Sequence, residues 1–247
     1  MALLWQKTAG GTHYEVRSAG ATRRLYTNGV FHSQFNPNHL LTRGVWDLLL
    51  LAAFFRPPQN IRRILVLGVG GGAVIRQLQH FVGPDELVGV DINPVHLSIA
   101  RRFFGLRKSV RLVAADAVDW VTAYHGEPFD LVIDDLFGHE NGEAERTVRA
   151  DRSWCQMLLR NVSRNGVLAI NFPSPLALRQ SALVSDRRTR RICRSLFSLT
   201  TPLDENAVGV FVRGDCDATE VRQRIRQFPQ LDTRRKTTRL KYSLRTL

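Results

Sequence analysis

The segment ILVLGVGGGAVIRQL, residues 64–78, constrains the fold of this chain more than any other stretch. A short apolar run typical of a buried strand leads into Gly68, Gly70, Gly71 and Gly72, and an amphipathic helical pattern follows directly. Glycine loses more backbone freedom on folding than any other residue. Such a cluster therefore indicates either a left-handed turn or another group pressed closely against the main chain.

From residue 61 onward, apolar strands alternate with helical segments. The strands read IRRILVL, ELVGVD, VRLVAA, FDLVID and GVLAINF. Near-continuous Val, Ile and Leu in strands separated by helices indicate a parallel sheet covered on both faces. The segments SLFSLTTPL and NAVGVFVRG are typical of a final antiparallel pair. The predicted fold class is α/β, with a doubly wound, Rossmann-like sheet of seven strands.

The chain before this sheet has a different pattern. Residues 12–35 alternate apolar and polar side chains around an Asn28-Gly29 turn, which predicts two or three antiparallel strands. A helix is predicted to begin at Asn36-Pro37. We therefore expect three parts: a β-hairpin region with a helix (1–56), a nucleoside-binding catalytic domain (57–230) and a basic C-terminal tail (231–247).

Composition limits the class of protein. No apolar run approaches the roughly 20 residues of a membrane span, and the first residues lack the pattern of a signal peptide. The three cysteines lie far apart and match no metal or disulfide spacing, so we expect a cytoplasmic protein without a metal.

The net charge of +13 is concentrated near the end of the chain, where residues 187–247 hold 15 Lys and Arg against 6 Asp and Glu. This quarter is interpreted either as a solvated basic face or as a surface for nucleic acid.

Carboxylates follow three of the predicted strands. Ligands of doubly wound sheets bind at the carboxyl ends of the strands. Asp91 ends the second strand, where it is expected to bind ribose hydroxyls, and Asp116 follows the third, where it would accept from a base amine. For both, the alternative is a helix N-cap. Asp134 and Asp135 end the fourth strand, and only one of these neighbours should face the ligand. Carboxylates around one cavity favour a cationic nucleoside, such as a sulfonium.

Three motifs resemble one family. LYTNGVFHSQF is similar to the segment before the first helix of the spermidine synthases (polyamine aminopropyltransferases), and FDLVIDDLFG resembles their catalytic strand. The glycine loop is preceded by the apolar Val66, where most methyltransferases carry an acid. Over roughly residues 22–215 the chain thus resembles the spermidine synthase branch of the S-adenosylmethionine-dependent transferases. The resemblance implies the methyltransferase fold and suggests a homodimer.

The resemblance also implies roles for individual residues. The donor, S-adenosylmethionine or its decarboxylated form, would be bound by Gly68, Gly70, Gly71, Gly72, Asp91, Ile92, Asp116, Ala117 and Asp134. The catalytic residue would be Asp135, which accepts a proton from the attacking amine and orients it. The acceptor, a small-molecule amine, would be bound by His32, Asp47 and Asp135. Its distal ammonium could also contact Glu140, Glu143 and Glu145 of HENGEAE, unless this is simply a surface loop.

Several family positions differ. Gly138 replaces a second aspartate, His32 replaces a glutamine, and an acid in the glycine loop of many synthases is absent at Gly71 and Gly72. A tyrosine-histidine-glutamate cluster is reduced to Val45-Trp46-Asp47.

Three hypotheses follow. The first is aminopropyl transfer to an amine, the second is methyl transfer to a nucleic acid or a small molecule, and the third is a catalytically silent nucleoside-binding protein.

Overall fold

The first 35 residues fold into an antiparallel sheet. The computed structural model describes residues 1–140 and 143–247, and for residues 139, 140, 143 and 144 it describes the backbone alone. The four strands pair in chain order: β1 (Ala2–Ala9), β2 (Thr12–Ala19), β3 (Thr22–Thr27) and β4 (Val30–Phe35). The sequence predicts two or three of them. It misses β1 because most residues of this strand are exposed and show no apolar alternation.

The first helix, α1 (Val45–Leu51), begins later than the Asn36-Pro37 signal predicts. Asn36 forms a turn instead, because its side chain accepts a hydrogen bond from the Asn38 amide (2.9 Å) and donates one to Thr22 (2.9 Å). The chain then enters α1 through Arg43, whose φ of 64° is left-handed. The predicted start of this helix is therefore wrong, and the residues before α1 form a loop.

Ten further strands follow. They are β5 (Arg63–Leu67), β6 (Glu86–Asp91), β7 (Arg111–Ala114), β8 (Phe129–Asp134), β9 (Phe137–Glu140), β10 (Glu143–Arg146), β11 (Val162–Phe172), β12 (Ser195–Thr201), β13 (Asp204–Val212) and β14 (Ser243–Thr246). β9 pairs with β10, and the others form one sheet in the order β14-β12-β13-β11-β8-β5-β6-β7. The five strands from β11 to β7 in this order run parallel, and β12, β13 and β14 pair antiparallel. The predicted doubly wound α/β sheet is confirmed.

The end of the chain adds one strand to the predicted seven. Residues 231–247 were expected to form a basic tail, but β14 pairs with β12, and Leu231, Leu240 and Leu244 are buried in the core. The wide spacing of these leucines among basic residues conceals their burial in the sequence. The division of the preceding chain at residue 56 stays a prediction.

Helices cover both faces of the central sheet. After α1 they are α2 (Ala73–Phe81), α3 (Pro94–Phe103), α4 (Ala117–Ala123), α5 (Arg152–Arg160), α6 (Pro175–Gln180), α7 (Ala182–Ser185), α8 (Arg187–Arg190) and α9 (Ala218–Arg226). Apolar side chains of α1, α2, α3 and α9 form the core on one face, and those of α4, α5, α6 and α7 form it on the other. Among the described helices, none has the length and apolarity needed to cross a bilayer.

Candidate active site

A cavity of about 1220 Å³ lies between the N-terminal sheet and the carboxyl ends of the parallel strands. Its walls come from β3 and β4, the loop before α1, the glycine loop after β5, and the segments that follow β6, β7, β8, β11 and β12. Asp91, Asp116 and Asp135 all line it, as expected for carboxylates at neighbouring strand ends. Among the described residues, no group of three or more His, Cys, Asp or Glu is placed to hold a metal ion.

The glycine loop serves two purposes. Gly68 (φ 85°) and Gly70 (φ 51°) line the cavity in left-handed conformations, and a Cβ on Gly68 would collide with the carbonyl oxygen of Asp135. Gly71 and Gly72 do not line it, which differs from the predicted donor contacts. A Cβ on Gly71 would lie 2.7 Å from the Phe104 ring. Phe104 and its neighbours thus also exclude an acidic side chain at Gly71.

Gly72 has a similar packing role. Its φ is 79°, and a Cβ there would lie 2.5 Å from Cδ1 of Leu106. The cluster therefore combines left-handed turns beside the cavity with close packing behind it.

Asp91 fixes the glycine loop to the end of β6. Its Oδ2 accepts hydrogen bonds from the amides of Val69 (3.0 Å) and Gly70 (2.8 Å), and its Oδ1 accepts from the amide of Asn93 (2.8 Å). Burial alone would raise the pKa of Asp91, but the His96 ring and the backbone donors outweigh burial and lower it. The N-cap of α3 is Asn93, so the N-cap alternative for Asp91 does not apply.

Asp116 is both a helix N-cap and part of the cavity wall, and its contact with a base amine stays a prediction. Its Oδ1 caps α4 by accepting from the amides of Val118 (2.7 Å) and Asp119 (3.1 Å), and the residue also lines the cavity. The predicted donor residues Ile92, which is 70% exposed, and Ala117 also line the cavity. This part of the cavity can therefore offer an apolar surface and an adjacent acceptor to a base.

Asp135 follows β8, and two asparagine side chains connect to it through consecutive hydrogen bonds. Its Oδ1 accepts a hydrogen bond from Nδ2 of Asn171 (2.7 Å), whose Oδ1 accepts from Nδ2 of Asn206 (2.9 Å). Burial raises the pKa of Asp135 to about 6, opposed by the Asn171 hydrogen bond, while the charge of Asp134 raises it further. The carboxylate is therefore ionised at neutral pH yet basic enough to take a proton.

Sequence reasoning placed Asn171 in the strand GVLAINF and did not recognise it as a site residue. The signal was its position at the carboxyl end of β11. Ile170 is in register with Asp134, so the next residue along each strand, Asn171 and Asp135, is also adjacent.

Asp134 does not line the cavity, contrary to the prediction that it contacts the donor. It is fully buried, and its Oδ2 accepts hydrogen bonds from Arg146 and from Nε1 of Trp154 (2.8 Å). Neighbouring residues in an extended segment point to opposite sides, and here Asp135 is the one that faces the cavity.

Asp47 likewise lies outside the cavity, contrary to its predicted contact with the acceptor. It is buried and accepts hydrogen bonds from the Thr42 amide (2.8 Å), the Arg43 amide (2.8 Å) and Nε2 of Gln77 (2.6 Å). Burial raises its pKa, against the effect of these donors. Asp47 thus shapes the loop before α1, and through it the cavity wall.

The remaining predicted acceptor residues have separate positions. His32 lines the cavity, with its ring 5.1 Å from the ring of His96. The side chains of Glu140 and Glu143 lie outside the described residues. Glu145 is exposed and does not line the cavity.

Replacing Asn171 with alanine should raise the pKa of Asp135 above its value of about 6, because the stronger of the two hydrogen bonds that favour the ionised carboxylate is lost and only that of Trp46 is kept. In a reaction that uses Asp135 as a base, the acidic limb of the pH–rate profile should then move up by about one pH unit. Rates measured from pH 5 to 9 test this, with the melting temperature as a check on folding. An unshifted limb would show that Asn171 does not tune Asp135.

Comparison with known proteins finds similar sequences over part of the chain. A family model described as a methyltransferase domain matches residues 64–157. The polyamine aminopropyltransferase 2 of Caldanaerobacter subterraneus subsp. tengcongensis is 30% identical over 111 residues, 43% of this chain and 37% of that protein. The chain thus spans less than half the length of this curated relative.

Solved structures share the fold over most of the chain. A probable spermidine synthase from Corynebacterium glutamicum has a TM-score of 0.71 at 13% identity, covering 100% of this chain and 91% of that one. A spermidine synthase in complex with the transition state analogue AdoDATO has a TM-score of 0.68 at 11% identity, covering 92% and 78%. The chain is therefore similar in sequence to polyamine aminopropyltransferases over part of its length, and it shares the fold of solved spermidine synthases.

Proposed function

We propose that this protein transfers the aminopropyl group of decarboxylated S-adenosylmethionine to a small-molecule amine. The observation that carries the proposal is the Asp135 carboxylate, with a pKa of about 6, beside the glycine loop and in the same cavity as Asp91 and Asp116. The similarity to polyamine aminopropyltransferases supports it.

The proposed donor site consists of Gly68, Gly70, Asp91, Ile92, Asp116 and Ala117, all of which line the cavity. Asp91 and Asp116 supply acceptors for the ribose and the base amine. Asp135 and His32 lie in the same cavity and would contact the acceptor. A homodimer, implied by the family resemblance, stays a prediction.

In the proposed reaction, the uncharged amine attacks the propyl carbon next to the sulfonium. A C–N bond forms as the C–S bond breaks, the electron pair of the broken bond goes to sulfur, and methylthioadenosine leaves. Asp135 orients the amine and accepts the proton that it loses. Because the sulfonium is already an activated leaving group, most of the acceleration comes from in-line positioning.

The direct test is the release of methylthioadenosine from decarboxylated S-adenosylmethionine in the presence of putrescine. Release that depends on the amine supports aminopropyl transfer. Binding of the donor without turnover with any amine would instead favour the silent binding protein.

Methyl transfer from intact S-adenosylmethionine is the second candidate, favoured by the match to a methyltransferase domain. Arg239 extends the basic last quarter of the chain into the cavity wall, where it could contact a nucleic-acid acceptor. Nucleic-acid affinity that falls steeply with added salt would support a nucleic-acid acceptor, and no binding at low salt would exclude that acceptor but not a small molecule.

Replacing Asp116 with asparagine should weaken donor binding by about tenfold, since a hydrogen bond to a charged acceptor is lost. Asparagine still caps a helix, so α4 should keep its stability. Asp119→Asn is the matched control, because it makes the same charge change on α4 at an exposed residue outside the cavity. Calorimetric titration with the donor measures both, and equal affinities would contradict the role of Asp116.

A further inference from the structure

Arg76 occupies an unusual place in the cavity wall. It lies in α2 one turn beyond the glycine loop, and its guanidinium carbon is 3.9 Å from the centroid of the Phe35 ring. Ala73, on the same face of α2, also lines the cavity, as do Gln34 and Asn36 on either side of Phe35. The guanidinium is thus stacked on an aromatic ring at the edge of an open space.

The described residues supply no counter-ion to this guanidinium. Within residues 1–140 and 143–247, no hydrogen bond or ion pair joins Arg76 to another side chain or carbonyl. Burial lowers the pKa of Arg76 to about 10, and in the part of the chain that the structure describes no carboxylate opposes that effect. Arg146 and Arg63 differ, since each is paired with an acid, Asp134 and Glu86 respectively.

The sequence suggests a cavity lined by acidic side chains alone, but basic side chains line it as well. Beside its carboxylates, the lining includes Arg24, Arg43, Arg76 and Arg239. At two places where the family resemblance implies acids, Gly71 or Gly72 and Gly138, the chain has glycine, and Asp47 is buried outside the cavity. The cavity can therefore accommodate a negative group as well as positive ones.

We propose that Arg76 binds a carboxylate carried by one of the two substrates. A guanidinium has a planar fork of donors that matches a carboxylate, and partial burial strengthens such a pair. The carboxylate could belong to intact S-adenosylmethionine or to an amino acid that acts as the acceptor. The inference rests on the proposed function in one respect, namely that the cavity holds an adenosyl donor and an amine.

Two matched pairs of ligands test the inference, because the members of each pair differ only by a carboxylate. They are S-adenosylmethionine against its decarboxylated form, and ornithine against putrescine. The full chain is compared with Arg76→Gln, which removes the charge, and Arg76→Lys, which keeps it. Arg188→Gln makes the same change on an exposed arginine of α8 outside the cavity and is the control.

If the donor supplies the carboxylate, Arg76→Gln should weaken S-adenosylmethionine binding at least about tenfold in calorimetry and leave the decarboxylated form unaffected. If the acceptor supplies it, the variant should raise KM for ornithine by a similar factor and leave KM for putrescine unchanged. In either case, Arg76→Lys should retain part of the native protein's preference for the ligand that carries the carboxylate.

The inference is overturned if Arg76→Gln, or Arg76→Lys where the glutamine variant does not fold, changes neither preference. The proposed function fails separately if S-adenosylmethionine binds through Arg76 but no amine releases methylthioadenosine from the decarboxylated donor. A native protein that binds neither donor overturns both.

Discussion

Replacing Asp135 with asparagine is expected to lower the rate of aminopropyl transfer by about 100-fold or more, because the group that takes the proton from the amine is lost. Asparagine has the same shape and can keep a hydrogen bond with Asn171. Donor affinity should therefore change little. The release of methylthioadenosine under single-turnover conditions measures the effect, with Asp119→Asn as the control. Full activity in the Asp135 variant would refute the proposed role.

The native protein should show a matching pH dependence in the proposed reaction. The pKa of Asp135 is about 6, so the rate should fall as the pH drops through 6 and the carboxylate becomes protonated. In Asp135→Asn this limb should disappear from the residual rate.

The same substitution should stabilise the fold at neutral pH. The ordinary aspartate pKa of 3.8 in the unfolded chain rises to about 6 in the folded protein, so the folded state loses stability as the pH rises through 6. Removing the charge should recover roughly 3 kcal/mol, or about 9 °C in melting temperature. The gain should be full at pH 7.5 and shrink towards pH 4. A melting temperature unchanged at pH 7.5 would show that Asp135 is better solvated than its position indicates.

The positions of the carboxylates could be predicted because they follow from topology. Parallel strands end at one edge of a sheet, so Asp91, Asp116 and Asp135 had to meet once the strands were recognised. The role of the glycine loop could be predicted in the same way, since Gly68 and Gly70 adopt left-handed conformations next to that edge.

The remaining differences arise from packing between distant segments. Nothing near Gly71 in the sequence reveals that Phe104 will lie against it. From the sequence, Asp47 is predicted to bind the acceptor, because nothing there shows that its carboxylate accepts hydrogen bonds from the Thr42 and Arg43 amides. Asn171 becomes a partner of Asp135 only through the register of β11 on β8.

Removal of Arg146 is expected to destabilise the fold by about 3–5 kcal/mol, because it leaves a buried charge without its partner. Asp134 is fully buried, and the Arg146 side chain is only 9% exposed. Arg146→Met keeps much of the side-chain volume and removes the charge. Urea unfolding measures the loss, and Arg149→Met, an exposed neighbour, is the control. A loss below 1 kcal/mol would show that Trp154 and the backbone satisfy Asp134 without Arg146.

The double variant Asp134→Asn/Arg146→Met separates the lost charge pair from lost packing. It should recover more than half of the stability that Arg146→Met loses, since neither charge then remains unpaired. Arg146 also donates to the carbonyl of Asn171 (3.0 Å), and its charge lowers the pKa of Asp135. The acidic limb of the Arg146→Met rate profile should therefore lie above pH 6. In the double variant the charge of Asp134 no longer raises that pKa, so the limb should move back down. Stability and the protonation of the proposed base are thus coupled through one arginine beneath the cavity.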